Sequence, residues 1–432
     1  VGESSVKASA GRSAAMIAAI AVTMAVWMAA ISGCTPARKK APRGLEEEPS
    51  IRALIVETSG SIQIEAKGGF RVAGENGMTL LRSKDPSRLR VRREGTSTQI
   101  HVEPEGTAAV AEGNVFIVPS GSSELSHDST VYPGRMLVRH REGAEGAQLI
   151  NVVPLESYLE GVLPHEIGNP GPDAYAAMEA QAIAARTYAV SRIVERKSEP
   201  FDVYAGVRDQ VYQGRKRSNR LASGAVRETR GKVLAHKGEL ARTYYSATCG
   251  GHTSDIRWMW PHRDPAPYLE GSYDRNGGAT HCSWVHNFRW RFSFSGKELG
   301  EILRRTVPAE LGVDPERVGY LIDVGVSERT ASGRARYLEV VTTRGSFTIE
   351  GDRIRWVLMP DPGAGRILPS TLFNLHKRMQ NQRVVSLSIV GGGNGHGVGM
   401  CQNGAIEMAR RGYTSDMILL HYYPGTEISK WY

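Results

Sequence analysis

The sequence is poor in the features that mark several large protein classes. It has four cysteines in 432 residues, no visible internal repeat, only 7% aromatic residues, and little excess of one charge, with a net value of +9 at pH 7. Its lysines and arginines are scattered rather than gathered into one stripe, which argues against a nucleic-acid-binding protein. No GK[ST] follows a glycine-rich stretch, so a phosphate-cradling nucleotide loop is excluded. The single His-Glu pair, in HEIGN, lacks the second histidine that a metalloprotease helix requires. What remains is ordinary globular composition, 41% hydrophobic and 23% charged, which excludes collagen, coiled coil and wholesale disorder. Forty-eight glycines and 21 prolines predict many turns and short strands, hence a β-rich or α+β architecture.

Compartment is written near the N-terminus. Lys7 and Arg12 precede an uncharged run of 21 residues, 13–33, the pattern of an export signal that is also long enough to span a bilayer. The run ends Ile31-Ser32-Gly33-Cys34, which resembles a bacterial lipobox. The expectation is a lipoprotein signal peptide over 1–33 and a membrane anchor through Cys34, with everything beyond it exported toward the cell wall or periplasm. An uncleaved signal-anchor helix is the alternative, and it has the same topology. Residues 34–50, with a basic-then-acidic run and proline, read as a flexible tether. Residues 51–150 alternate in short runs such as RLRVRREG and TQIHVEP, a β-rich region. From 151 to 432 the periods mix: a short helix at VVPLESYLEGV, a long alanine-lined helix opened by Pro172-Asp173, further strands, a tryptophan-rich loop, a helix near 297–305, and a glycine-rich loop entering a helix at Gln402.

Three groups of residues carry candidate chemistry. LPHEIGNP reads as a Pro- and Gly-flanked loop between helices that aims Glu166 into a cleft as an acid/base. Against this stands the common case of a solvated loop glutamate. Arg186, inside AIAARTY on a close-packed helix, needs a partner or a ligand to offset its desolvation; a structural ion pair is the plain alternative. The loop 391–404 lets backbone pass close to other backbone or to ligand, and presents His396 and Gln402. With Cys34 assigned to lipid, Cys249 and Cys282 read either as a disulfide of an oxidising compartment or as zinc ligands with His252 and His286, leaving Cys401 as a buried thiol.

VVPLESYLEGVLPHE, AYAAMEAQAIAARTYAV, DQVYQG, YYSATCGGHT and GHGVGMCQNGAIEMARRGYTSDMILLHYYPGTEI together resemble the SpoIID and amidase-enhancer (LytB) family, from about residue 150 onward. The resemblance implies a SpoIID-type α+β core with an open glycan-binding groove. It also implies a peptidoglycan lytic transglycosylase that cuts peptide-stripped glycan strands between N-acetylmuramic acid and N-acetylglucosamine and leaves a 1,6-anhydro end. The family's catalytic glutamate falls on Glu166 and its helix arginine on Arg186, with Tyr245, Ser246, His396 and Gln402 expected to bind glycan. No cofactor is required, and zinc is the one alternative. Expected partners are glycan strands, the membrane through the lipid anchor, and a cell-wall amidase. The alternative function is a non-catalytic, glycan-binding enhancer of such an amidase. Two departures stand out. Residues 202–210 lack the cysteine and histidine with which some relatives bind zinc, and Cys401 stands where the family often has serine.

Overall fold

The computed structural model describes residues 47–104, 106–140 and 146–432. The expected leader and Cys34 lie outside them. Among the described residues no helix is long and apolar enough to cross a membrane.

The architecture is α+β. Strict alternation builds its N-terminal half: in Ser87–Glu94 the side chains of Ser87, Leu89 and Val91 point inward while Arg88, Arg90 and Arg92 face solvent. Its neighbour Ser97–Glu103 buries Thr98, Ile100 and Val102 in the same way. These strands belong to a six-stranded sheet with the spatial order Thr130–Tyr132, Leu125–His127, Ile62–Ala66, Ser87–Glu94, Ser97–Glu103 and Thr107–Glu112. A seven-stranded sheet runs Val203–Tyr204, Ser50–Thr58, Ala147–Pro154, Arg135–His140, Val115–Pro119, Phe70–Gly74 and Thr79–Ser83.

Strand Ala147–Pro154 leads straight into helix α1 (Leu155–Glu166), which is followed by α2 (Tyr175–Glu195) and α3 (Arg220–Glu228). Five more helices follow: α4 (Ile256–Met259), α5 (Gly296–Leu311), α6 (Ile354–Val357), α7 (Gln402–Arg410) and α8 (Ser415–Tyr422). Helix α2 is central. Ala177, Ala180, Ala182, Ala184, Ala185 and Ala189 are fully buried on it, and such small side chains let α1, α3, α7 and α8 pack against its backbone at close range. The two N-terminal sheets, these helices and the C-terminal strand Glu427–Lys430 share one apolar core, from Ile51 to Trp431. A second core, from Phe294 to Ile389, joins α5 to two three-stranded antiparallel sheets.

One local expectation is corrected. LPHE is not loop but the last turn of α1, and the chain leaves helical geometry only after Ile167, whose N–H donates to the Leu163 carbonyl at 3.0 Å. Glu166 therefore projects from the end of a rigid, largely buried helix.

Candidate active site

A cleft of about 600 Å³ opens between the two cores, and Glu166 lines it. One carboxylate oxygen of Glu166 accepts the backbone N–H of Val211 at 2.7 Å, and the Gln402 side chain also hydrogen-bonds it. Burial nevertheless dominates: desolvation pushes the carboxyl up to about 7, against the smaller downward pull of these two bonds. The DQVYQG segment builds the neighbourhood. The Gln210 amide donates to the Ala185 carbonyl on α2 and to the Tyr245 hydroxyl at 2.9 Å, while its carbonyl oxygen accepts from Tyr158 at 3.1 Å. These bonds fix Tyr245 close to Glu166, where burial and the carboxylate's charge together hold its phenol well above its ordinary range and keep it neutral.

The glycine loop forms one wall because backbones must touch there. Gly395 has φ +107°, and a Cβ on it would meet the Ser246 Cβ at 2.6 Å; Gly399, at φ +71°, would meet the Tyr244 carbonyl at 2.1 Å. The approach is sealed by parallel pairing of Tyr245 with Met400 and of Ser246 with Cys401. Ser246 Oγ accepts the Gly397 N–H at 3.2 Å. His396 Nδ1 accepts from the Val398 N–H at 3.0 Å, and its ring lies 4.8 Å from that of Trp260. Burial and the nearby guanidinium groups of Arg355 and Arg334 push this imidazole down to about 3, so it is neutral.

Glu166, Tyr245, Ser246, His396 and Gln402, all expected from the sequence, thus line one cleft. Arg186 does not. It is fully buried, and its guanidinium pairs with Glu156 through Nε–Oε1 at 2.9 Å and Nη2–Oε2 at 2.7 Å, with further bonds to the Val226 and Lys232 carbonyls. Its assignment as a catalytic group is corrected to that of a structural ion pair. Burial pushes the Glu156 carboxyl up, but Arg186, Tyr432 and the Gly231 N–H outweigh this and hold it below its ordinary range.

The cysteine readings also change. The sulfurs of Cys249 and Cys282 stand 3.6 Å apart, well beyond the roughly 2.05 Å of a disulfide, and both residues are free thiols. His252 is turned to the Thr253 carbonyl and His286 is exposed, so neither completes the expected zinc set. Instead Cys401 and Asp274 join the two cysteines.

Residues that sequence reasoning missed include Asp209 and Asp352, the other two cleft carboxylates, and the Trp260, Arg263 and Trp356 surface. Asp209 is held by Arg192 at 3.4 Å and Arg196 at 3.3 Å, Asp352 by Arg355 at 3.2 Å. The tryptophan-rich loop was the available signal for the aromatic wall. Arg263 donates to the Tyr244 hydroxyl at 2.8 Å and lies over the Tyr244 and Trp260 rings.

Comparison with known proteins matches residues 143–236 to the family described as stage II sporulation protein, SpoIID, and residues 261–399 to a domain of unknown function. An uncharacterized protein of Brachyspira hyodysenteriae is 33% identical over 65% of this chain and 68% of its own length. The amidase enhancer of Bacillus subtilis is 26% identical over 63% of this chain but only 40% of its own, so the chain spans less than half of that relative. Stage II sporulation protein D of Bacillus subtilis is 25% identical over 66% of this chain and 76% of its own. The matched segment carries α1 with Glu166 and all of α2, and the relatives extend the likeness across about two thirds of the sequence, so the chain belongs to the SpoIID family.

Proposed function

We propose that the protein is an exported cell-wall enzyme, a lytic transglycosylase that cleaves peptidoglycan glycan strands with Glu166 as its one acid/base. The observation that carries this reading is that, of three cleft carboxyls, only Glu166 lacks a cationic partner, and burial raises it to about 7; burial also raises Asp352, but that carboxyl is paired with Arg355. Hydrolysis of a glycosidic bond ordinarily takes two carboxyl groups, one to protonate the leaving oxygen and one to activate water or attack the sugar. Here arginines hold the other two. A reaction in which the sugar supplies its own nucleophile needs only one.

The protonated Glu166 donates its proton to the glycosidic oxygen as the bond from that oxygen to the muramic acid C1 breaks. The resulting carboxylate then takes the proton of the same sugar's C6 hydroxyl, whose oxygen bonds to C1 and closes the 1,6-anhydro ring. Glu166 ends protonated and no water is consumed. Tyr245, neutral and fixed by Gln210, and the Gln402 amide are placed to hydrogen-bond the sugar or the carboxylate, and Trp260, Tyr244 and Trp356 offer faces to the C–H surfaces of the rings. Cys34 is proposed as the lipid anchor that keeps this cleft at the envelope.

The test is mass spectrometry of soluble products after the full chain, and separately Glu166→Gln, is incubated with peptide-stripped peptidoglycan. Anhydro-ended fragments from the unaltered chain alone are expected. Reducing-end fragments would replace the reading with a hydrolase. Absence of products from both, with glycan still bound, would replace it with the amidase-enhancer role for which one relative is named.

A further inference from the structure

Outside the cleft lining, three thiols and a carboxylate drawn from three stretches of the chain converge. The ligand atoms of Cys249, Asp274, Cys282 and Cys401 all lie within 4.8 Å of one another, and all four residues are 0% exposed. The Cys249 sulfur is 3.6 Å from that of Cys282 and 3.0 Å from Asp274 Oδ2. A tetrahedron with zinc–sulfur bonds of about 2.3 Å has edges of about 3.8 Å, so the thiol pair stands at the spacing of two zinc ligands.

We propose that these residues form a closed, four-coordinate Cys3Asp site for zinc. Three arguments carry it. Four ionisable acids packed together in a dry interior are unfavourable as neighbours, and a divalent cation turns that crowding into bonds. A disulfide would use two sulfurs and leave a carboxylate and a thiol buried beside it; the metal uses all four groups. Finally, the surroundings are those of a ligand shell. The Cys249 N–H points at the Cys401 sulfur at 3.2 Å, and the Gly251 N–H at the Cys249 sulfur at 3.3 Å. Tyr422 donates to Asp274 Oδ1 at 2.7 Å, which fixes the carboxylate with Oδ2 toward the cysteines. The buried guanidinium of Arg334 donates to the Cys249 carbonyl at 2.6 Å, a cation beside a site whose bound form carries net negative charge.

Three thiolates select a soft or borderline metal over calcium or magnesium, and four protein ligands without an open position mark a structural rather than a catalytic ion. Binding exchanges protons for metal, one proton released for each thiol that becomes a ligand. The four ligands come from separate pieces of chain: Cys249 just after strand Tyr245–Ser246, Asp274 and Cys282 on either side of a short hairpin, and Cys401 at the start of α7. Cys401 immediately precedes Gln402, so the ion ties the end of the glycine loop to the segment carrying Tyr245 and holds the Gln402 amide on Glu166.

The experiment is metal analysis of the full chain, followed by exchange with cobalt(II). One zinc per chain that survives dialysis is expected, and cobalt should give the strong visible bands of a four-coordinate ion together with thiolate charge-transfer absorption in the near ultraviolet. Cys282→Ser should weaken zinc binding by at least about 100-fold, and Tyr422→Phe, which keeps all four ligands, by about 10–100-fold. The cobalt spectrum needs no variant, so a misfolded substitution does not decide the matter. A chain that binds neither ion, a weak six-coordinate cobalt spectrum, or a Cys249–Cys282 cross-linked peptide in a non-reducing digest would each overturn the proposal. None of these outcomes depends on whether the cleft cuts glycan.

Discussion

Glu166 shows how one side chain is tuned when hydrogen bonds and desolvation oppose each other. The Val211 N–H and the Gln402 amide favour its charged form, the low-dielectric surroundings favour the neutral one, and the neutral form wins up to about pH 7. Because the proposed first step consumes the acid form, kcat/KM should be level below pH 7 and fall about tenfold per unit above it. His396 adds no acid limb near neutrality, since its imidazole stays unprotonated down to about pH 3. A pH–rate profile on soluble glycan fragments checks this, and a bell with both limbs near neutrality would require a second essential base. The same shift has a stability consequence. Between the ordinary carboxyl range, about 4.3, and pH 7 the folded chain binds more protons at this site than the unfolded chain, so its contribution is complete at low pH and is lost as pH rises through 7. Glu166→Gln removes that loss. The variant should be more stable than the parent at pH 8 by about 1–3 kcal/mol, a value kept below the full shift because the cleft admits solvent, with the difference vanishing near pH 4 in denaturant melts.

Helix α2 illustrates both what a sequence discloses about an element and what it withholds. The alanine run announced close packing, and Pro172-Asp173 announced the start, where a 3₁₀ turn, Pro172–Ala174, feeds α2. The alternating strands and the helix at Gln402 were legible for the same reason: side-chain periodicity is a local property. The partner of Arg186 was not legible, because Glu156 lies 30 residues away on α1 and a carboxylate in a helix has no sequence mark of being a partner. Asp274 was hidden likewise between the exposed Tyr273 and Arg275, and the last turn of α1 was masked by Pro164, which usually ends a helix but here fills its C-terminal turn. The buried pair makes a testable claim about how α1, α2 and α3 are joined. Arg186→Met should destabilise the fold by about 3–5 kcal/mol, because it leaves the buried Glu156 carboxylate without its ion-pair partner, whereas Arg186→Met combined with Glu156→Leu should recover much of that loss. Strict additivity in a double-mutant cycle would show that the two side chains do not act as a pair.

At the scale of the whole molecule, the cleft lies where two cores meet, and a polar layer separates them. Arg334, Asp352 and Arg355 are buried there, between the apolar cluster that contains α2 and the one built on α5 and its sheets. Glu166 and the Tyr245 wall belong to the first body; Asp352, Arg355, Trp356 and Ile367 come from the second. The two bodies are joined by strand Arg383–Gly392, which runs out of the second core directly into the glycine loop. A polar, hydrogen-bonded boundary transmits less cooperativity than a shared apolar one, so the second core should open as its own unit. Leu338, fully buried in that core, offers the test. Leu338→Ala should cost about 2–5 kcal/mol, and hydrogen exchange should accelerate across 294–389 while amides of α1 and α2 keep their protection. Under the proposed function, glycan in the cleft would touch both bodies and should restore protection in the second, since a ligand that prefers the closed form stabilises it by mass action. Equal acceleration in both cores would mean that the polar layer couples them as tightly as a continuous core, and the cleft would then be a fixed groove rather than one whose Trp356 side can swing away from the Trp260 and Tyr245 side.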